Sequence, residues 1–144
     1  MGCTVINQLS KAQIQDLHQL YQTAWWARGR SLDDTRRLVQ NTDEVFGLCA
    51  DESARLIGFS RVLTDYLFRA LILDVIVAPD YQGQGLGRIL LDAMVNHPAL
   101  AQVESFGLFC TAEMVPFYEK WGFTDKLTQK LMQRSHYERR QPQL

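Results

Sequence analysis

Leu71-Ile72-Leu73-Asp74-Val75-Ile76-Val77-Ala78-Pro79-Asp80-Tyr81-Gln82-Gly83-Gln84-Gly85-Leu86-Gly87-Arg88 is the stretch on which the fold turns. Its first part belongs to a nearly continuous apolar run from Leu67 to Val77, the pattern of a central strand covered on both faces. Ala78-Pro79-Asp80-Tyr81 ends that strand. Beyond the glycines, Leu86, Ile89, Leu90, Ala93 and Met94 recur at helical spacing, and the helix must stop near Asn96-His97-Pro98 because a residue before proline resists helical geometry. A second apolar segment from Ser105 to Cys110 completes a strand–helix–strand unit, expected to be a parallel, right-handed crossover. Gln82 to Arg88 therefore lie where a central strand hands over to a helix, with three alternating glycines. Glycine allows close backbone approach, and the free amides of a first helical turn donate to anions, so the turn reads as a pyrophosphate cradle. Two common cradles are excluded: a dinucleotide fingerprint requires glycine where Arg88 stands, and no Gly-Lys-Ser/Thr is present for a nucleotide P-loop.

Outward from this unit, Ser10 and Gln13 form a capping-box pattern ahead of an amphipathic helix over roughly 11–24. Ser31 caps a second helix through about Gln40, with Asp33 and Asp34 suiting its dipole. Two helices thus precede any strand. Val45–Ala50 and Arg55–Leu63 read as a hairpin about Asp51-Glu52-Ser53. A short helix over Val115–Trp121 ends at Gly122, and Phe123–Met132 are expected to supply the final strand or strands. The fold class that follows is α/β: a single-domain mixed sheet with N-terminal helices, a central antiparallel meander and the parallel strand–helix–strand unit. One domain spans 1–144, with a polar tail over 133–144.

A chain of 144 residues with 47% hydrophobic and 22% charged residues can bury one core. Its formal net charge of -1 disfavours general binding to nucleic acid or a membrane surface. No apolar run is long enough to span a bilayer, and the start lacks a signal-peptide pattern, so the expected location is cytoplasmic. Cys3, Cys49 and Cys110 show no metal or redox spacing, and His18, His97 and His136 fall in no ligand motif, so no metal is expected.

Asp74 stands out as an acid in an apolar strand, where it must be paired, solvated by a cleft or raised in pKa. It is a candidate general base, or else an anchor for the N-terminal helices. Trp25, Trp26, Arg28 and Arg30 cluster between the first two helices, a set able to clamp an aromatic or carboxylate-bearing molecule or simply to close the core. Asp65, Tyr66 and Phe68 lie at a strand turn that can rim the same cleft.

Gln82, Gly85 and Gly87 match the pattern Gln/Arg-x-x-Gly-x-Gly/Ala, and the chain here resembles the GNAT superfamily of acyl-CoA-dependent N-acetyltransferases. Leu73–Pro79 resembles that family's central strand and Phe117-Tyr118-Glu119-Lys120-Trp121-Gly122-Phe123 its late helix, so the resemblance covers roughly Val45–Phe123. It implies acetyl-CoA as cosubstrate. Gln82, Gly83, Gln84, Gly85, Leu86, Gly87 and Arg88 would hold the pyrophosphate, and the main chain of Val75, Ile76 and Val77 the pantetheine arm. Tyr118 would give a proton to the departing thiolate, and Asp74 matches an acidic position in polyamine acetyltransferases. Thr111 departs from the family's usual Asn, and Pro116 is expected to interrupt the next helical turn. The implied reaction moves an acetyl group to a primary amine of a small molecule or peptide by direct attack in a ternary complex. A homodimer is admitted, and a noncatalytic acyl-CoA-binding regulatory module is the alternative.

Overall fold

A computed structural model describes residues 2–136. Five strands lie in the order β1-β2-β3-β4-β5: β1 (Cys3–Ile6), β2 (Glu44–Ala50), β3 (Leu56–Thr64), β4 (Arg69–Val77) and β5 (Ser105–Leu108). The first four are antiparallel neighbours, and β4 pairs with β5 in parallel. Helices α1 (Lys11–Gln22) and α2 (Leu32–Gln40) precede β2, α3 (Leu86–Val95) links β4 to β5, and α4 (Val115–Glu119) follows β5. The mixed α/β class is as expected.

The local signals for the helices act as read. Ser10 Oγ accepts from the Gln13 amide at 3.1 Å while Gln13 Oε1 accepts from the Ser10 amide at 2.9 Å. Ser31 Oγ caps α2 through the Asp34 amide at 3.0 Å. Pro116 lies in the first turn of α4, where its missing N–H costs nothing; it starts that helix and does not interrupt it.

Two expectations are corrected. A strand, β1, comes before the helices; it is four residues long, at the sheet edge, and needs β2 for its hydrogen bonds. Residues 123–132 form neither strand nor helix, because no strand edge pairs with them, and Leu127, Leu131 and Met132 stay exposed. The polar tail over 133–144 is described only to residue 136; its remainder lies outside the described residues.

Each face of the sheet carries its own core. Ile57, Val62, Ala70 and Ile72 pack against Leu86, Leu90, Leu91 and Met94 of α3 and Tyr118 of α4. Phe59, Leu56 and Ile76 pack on the other face against Leu17, Leu20 and Tyr21 of α1. β4 contributes to both, which explains why its sequence is apolar apart from Arg69 and Asp74.

Candidate functional site

β4 changes face in its middle. Phe59 pairs with Ile76 and Arg61 with Leu73, so two steps along β3 span three along β4, and the extra residue is a bulge at Asp74–Val75. Strict alternation from Ile72 would aim residues 74 and 76 at α3. Instead Ile76 joins the α1 cluster, Val75 and Val77 pack against the α3 cluster, and Asp74 turns toward Tyr21 of α1. The turn is made with Asp74 at φ +59°, a conformation that costs an ordinary L-residue about 1–2 kcal/mol and that Asp and Asn tolerate better than most.

That backbone is held by charge. Asp74 Oδ2 accepts from Tyr21 Oη at 2.9 Å, Arg30 Nη1 at 2.9 Å and Arg61 Nε at 2.7 Å, and the side chain is only 7% exposed. Oδ1 has no hydrogen-bond partner among the described residues. The Arg30 guanidinium also sits 4.6 Å from the Tyr21 ring centre and 5.5 Å from that of Trp26, whose ring meets Tyr21 edge-on. Burial pushes the Asp74 carboxyl up, but the two guanidiniums and their hydrogen bonds outweigh it and hold the group below the usual carboxylate range. Such a carboxylate is a weak proton acceptor at neutral pH. Burial and the Asp74 charge push the Tyr21 hydroxyl far up, so it remains a donor.

A stability consequence follows. Asp74→Asn keeps the tolerated backbone but leaves Arg30 and Arg61 half-buried without their counter-charge. The expected loss is about 2–3 kcal/mol at pH 7, or about 6–12 °C in Tm by calorimetry. Because the folded carboxyl titrates below its unfolded value, this stabilisation is full above about pH 5 and fades as pH falls through the carboxylate range. Wild type and variant should therefore converge in Tm toward pH 3, and a difference independent of pH would show that charge is not what holds the bulge.

On its other edge β4 parts from β5. Pairing runs from Arg69–Ser105 to Ile72–Leu108 and stops, so Leu73–Val77 face β5's side without a strand partner. Directly downstream, Gly83 and Gly85 both take φ +80°, and Gly85 caps α3 with no side-chain hydrogen bond. A Cβ at either glycine would stand in open space, and the amides of Gly83 to Arg88 have no acceptor among the described residues. Gln82 folds back so that its Nε2 donates to the Val77 carbonyl at 3.0 Å, fixing the loop to the strand end. Gln84 and Arg88 are exposed, and the Arg88 side chain has no partner among the described residues. An anion at this turn would meet oriented amides and a free guanidinium.

α4 closes this half. A Cβ on Gly87 would lie 3.6 Å from Phe117 Cζ, and Trp121 Nε1 donates to Asp92 Oδ1 at 2.8 Å, so the helix with Tyr118 is pinned to α3. Tyr118 is 7% exposed and packs edge-on against Phe117 and Phe123, in the same cluster as Val75, Val77 and Leu86. Its hydroxyl has no protein partner among the described residues yet is not sealed from solvent. Burial, then the charge of nearby Cys110, pushes its pKa up, so the phenol stays protonated. Thr111 is exposed, and its carbonyl accepts from the Met114 amide in a turn ahead of α4.

Sequence reading and structure therefore coincide unevenly. Val75, Ile76 and Val77, the turn from Gln82 to Arg88, and Tyr118 gather at one end of β4. Trp26 and Arg30 join Asp74, whereas Trp25, 68% exposed, and Arg28 lie on the outside of the same turn with no side-chain partner among the described residues. Two members were missed. Arg61 carried a signal, a charge inside an apolar strand, identical in kind to that of Asp74; Tyr21 carried none, being one apolar-face residue of an amphipathic helix. No group of residues able to hold a metal is present among the described residues.

The profile of an acetyltransferase (GNAT) domain matches residues 42–125. An uncharacterized N-acetyltransferase, ycf52, of Porphyra purpurea is 29% identical over 82% of this chain and 68% of its own length. This chain spans about two thirds of the length of these curated relatives. Among solved structures, one assigned to the GNAT family from Xanthomonas campestris pv. campestris is 31% identical, covers 94% of both chains and superposes with a TM-score of 0.78. The structure of AAC(6')-Iy in complex with the bisubstrate analog CoA-S-monomethyl-acetylneamine shares the fold at a TM-score of 0.71, 14% identity and coverage of 94% of this chain and 99% of that one.

Proposed function

We propose that this chain, which belongs to the GNAT acetyltransferase family, moves an acetyl group from acetyl-CoA to a primary amine by direct attack within a ternary complex. The observation that carries the reading is the parting of β4 from β5 immediately ahead of a glycine-opened helix with free amides. When bound there, acetyl-CoA supplies an activated thioester. Amides from Gly83 to Arg88 bind the pyrophosphate, with Arg88 adding charge. The open edge of β4 around Val75 and Ile76 hydrogen-bonds the amides of the pantetheine arm, a task for backbone because these side chains are apolar. The Val77 carbonyl is already taken by Gln82, so Val77 serves by packing.

Tyr118 holds the proton needed at the departing sulfur. Its pKa, raised by burial, keeps the hydroxyl a donor at neutral pH. Asp74 fills a different role from the base expected of it. With Oδ2 saturated and its pKa lowered, it stays an anion whose free Oδ1 meets the incoming ammonium, and the proton leaves to water. Tyr21, Arg30 and Arg61, all bound to Oδ2, keep the carboxylate in place, and Trp26 packs against the first two. The acceptor is a small molecule or peptide amine, and neither a nucleic acid nor a membrane surface suits the net charge of -1. No helix among the described residues is long and apolar enough to cross a membrane.

The pH dependence tests these assignments. Asp74 is ionised and Tyr118 protonated across the range from about pH 5 to 9, given lowered and raised pKa values against ordinary ones of about 4 and 10. The kcat/KM for an alkylamine should therefore climb with a slope of one over that whole range, following deprotonation of the amine alone. A plateau beginning near pH 6–7 would identify a protein base and remove Asp74 from the anchoring role.

A further inference from the structure

β3, β4 and β5 leave part of one sheet face bare. Val62 and Ile72, and Ala70 with Phe106, point into the core under α3, so their strand neighbours point the other way, toward the side of α1 and α2. Those helices cover Phe59 and Ile76; Arg61 in the next row is still only 14% exposed, and the row beyond it, with Leu63 36% exposed, is the open one. The register sets Arg61 beside Leu73, and, two residues further along, Leu63 beside Leu71 beside Gly107. A groove of about 420 Å³ lies over this second row, lined by Leu63, Leu71 and Gly107 together with Ala70, Thr64, Asp65 and Arg69. It begins about 7 Å, two strand residues, from the row that carries Arg61, whose Nε holds Asp74.

Gly107 is the informative residue. It sits within a strand, where glycine forfeits packing and adds entropy cost, yet its φ is not in the left-handed region and a Cβ would find its nearest neighbour, Leu71 Cδ1, only at 4.0 Å. Neither the backbone nor crowding calls for glycine. What its missing side chain does is deepen the groove. Leu63, 36% exposed on β3 at the other side of β4, also lines this space.

We infer that this groove receives the apolar body of the acceptor, so that the protein selects amines carrying an alkyl chain or aryl ring over small polar ones. The inference rests on the proposed amine acceptor: Leu73 and Leu71 share one side of β4 with Gly107 beside Leu71, so a carbon skeleton running from an amine at Asp74 to the groove would lie along that row. Arg69, an exposed residue of the same lining, has no ion-pair partner among the described residues.

Calorimetric titration of ethylamine, butylamine, hexylamine and phenethylamine, with and without CoA, reads the groove independently of turnover. Affinity should rise about three- to fourfold per added methylene as each leaves water. Gly107→Val should lower hexylamine and phenethylamine affinity at least tenfold while leaving ethylamine and CoA unchanged. Leu63→Gln, on an exposed position that tolerates a polar side chain, should reduce the same two affinities several-fold without touching the strand interior. An affinity independent of chain length, absence of binding by any of the amines, or an unchanged series in both variants would overturn the groove assignment. Binding with the expected pattern but no acetylation would remove the transfer reaction and leave the groove; acetylation of all four amines with equal kcat/KM would keep the reaction and overturn the groove.

Discussion

Gly85→Val is expected to abolish acetyl-CoA binding while the protein still folds. Gly85 stands at φ +80° as the N-cap of α3, with open space where a side chain would go. In the proposed complex that space belongs to the pyrophosphate, so a branched side chain removes both the close approach and, by straining the turn, the convergence of the amides from Gly83 to Arg88. Loss of several phosphate hydrogen bonds at about 1.5–3 kcal/mol each, being bonds to a charged group, puts the expected fall in affinity above about a thousandfold. Strain alone is controlled by Gly29→Ala, which has φ +98° and equally open surroundings but lies between α1 and α2. That variant should lose about 1 kcal/mol of stability and no affinity. Calorimetry in which Gly85→Val binds acetyl-CoA as wild type does would place the donor elsewhere.

Tyr118→Phe carries the second large effect. Phenylalanine preserves the edge-on contacts with Phe117 and Phe123 and the place of the ring in the α3 core, so Tm should move by less than about 1 kcal/mol in equivalent stability. The variant lacks only a hydroxyl that has no protein partner among the described residues. Turnover under conditions where chemistry is limiting should drop by about 10²–10⁴, the usual contribution of a positioned general acid, with acetyl-CoA affinity nearly unchanged. Retention of turnover within a factor of two would make the tyrosine a wall of the site, with water providing the proton.

The parts of the site that sequence reading reached are those whose chemistry is local. A glycine at positive φ, a serine cap with its glutamine partner, and an apolar strand followed by a helix each announce themselves within a few residues. Asp74 was legible as an anomaly but not as a role. Which face it points to depends on the bulge, and the bulge depends on the registry of β3 against β4, where the flanking pairs Arg61–Leu73 and Phe59–Ile76 join residues well separated in sequence. Its partners arrive from α1, from the turn before α2 and from β3, and only the assembled sheet shows that two guanidiniums and one phenol share a single carboxylate oxygen. That assembly turns a candidate base into an anchored anion.

The strands at the two ends of the chain failed for a related reason. β1 has four residues and draws its hydrogen bonds from β2, so no internal pattern of its own marks it. Residues 123–132 carry strand-forming side chains at Phe123, Leu127 and Leu131, but propensity without a partner edge yields no strand. The groove over Leu63, Leu71 and Gly107 is invisible in sequence, because it requires the pairing of three strands and knowledge of where α1 and α2 stop covering them.

The central claim is that an amine takes an acetyl group from acetyl-CoA held between the β4 edge and the α3 cradle. Its most direct test is release of free CoA thiol from acetyl-CoA across a panel of primary amines, followed continuously and with product acetylamine identified by mass. Release should depend on the amine, favour alkyl and aryl amines, and give intersecting initial-rate lines when both substrates are varied. Acetyl-CoA binding without amine-dependent thiol release from any member of the panel would contradict the claim and leave a noncatalytic acyl-CoA-binding module.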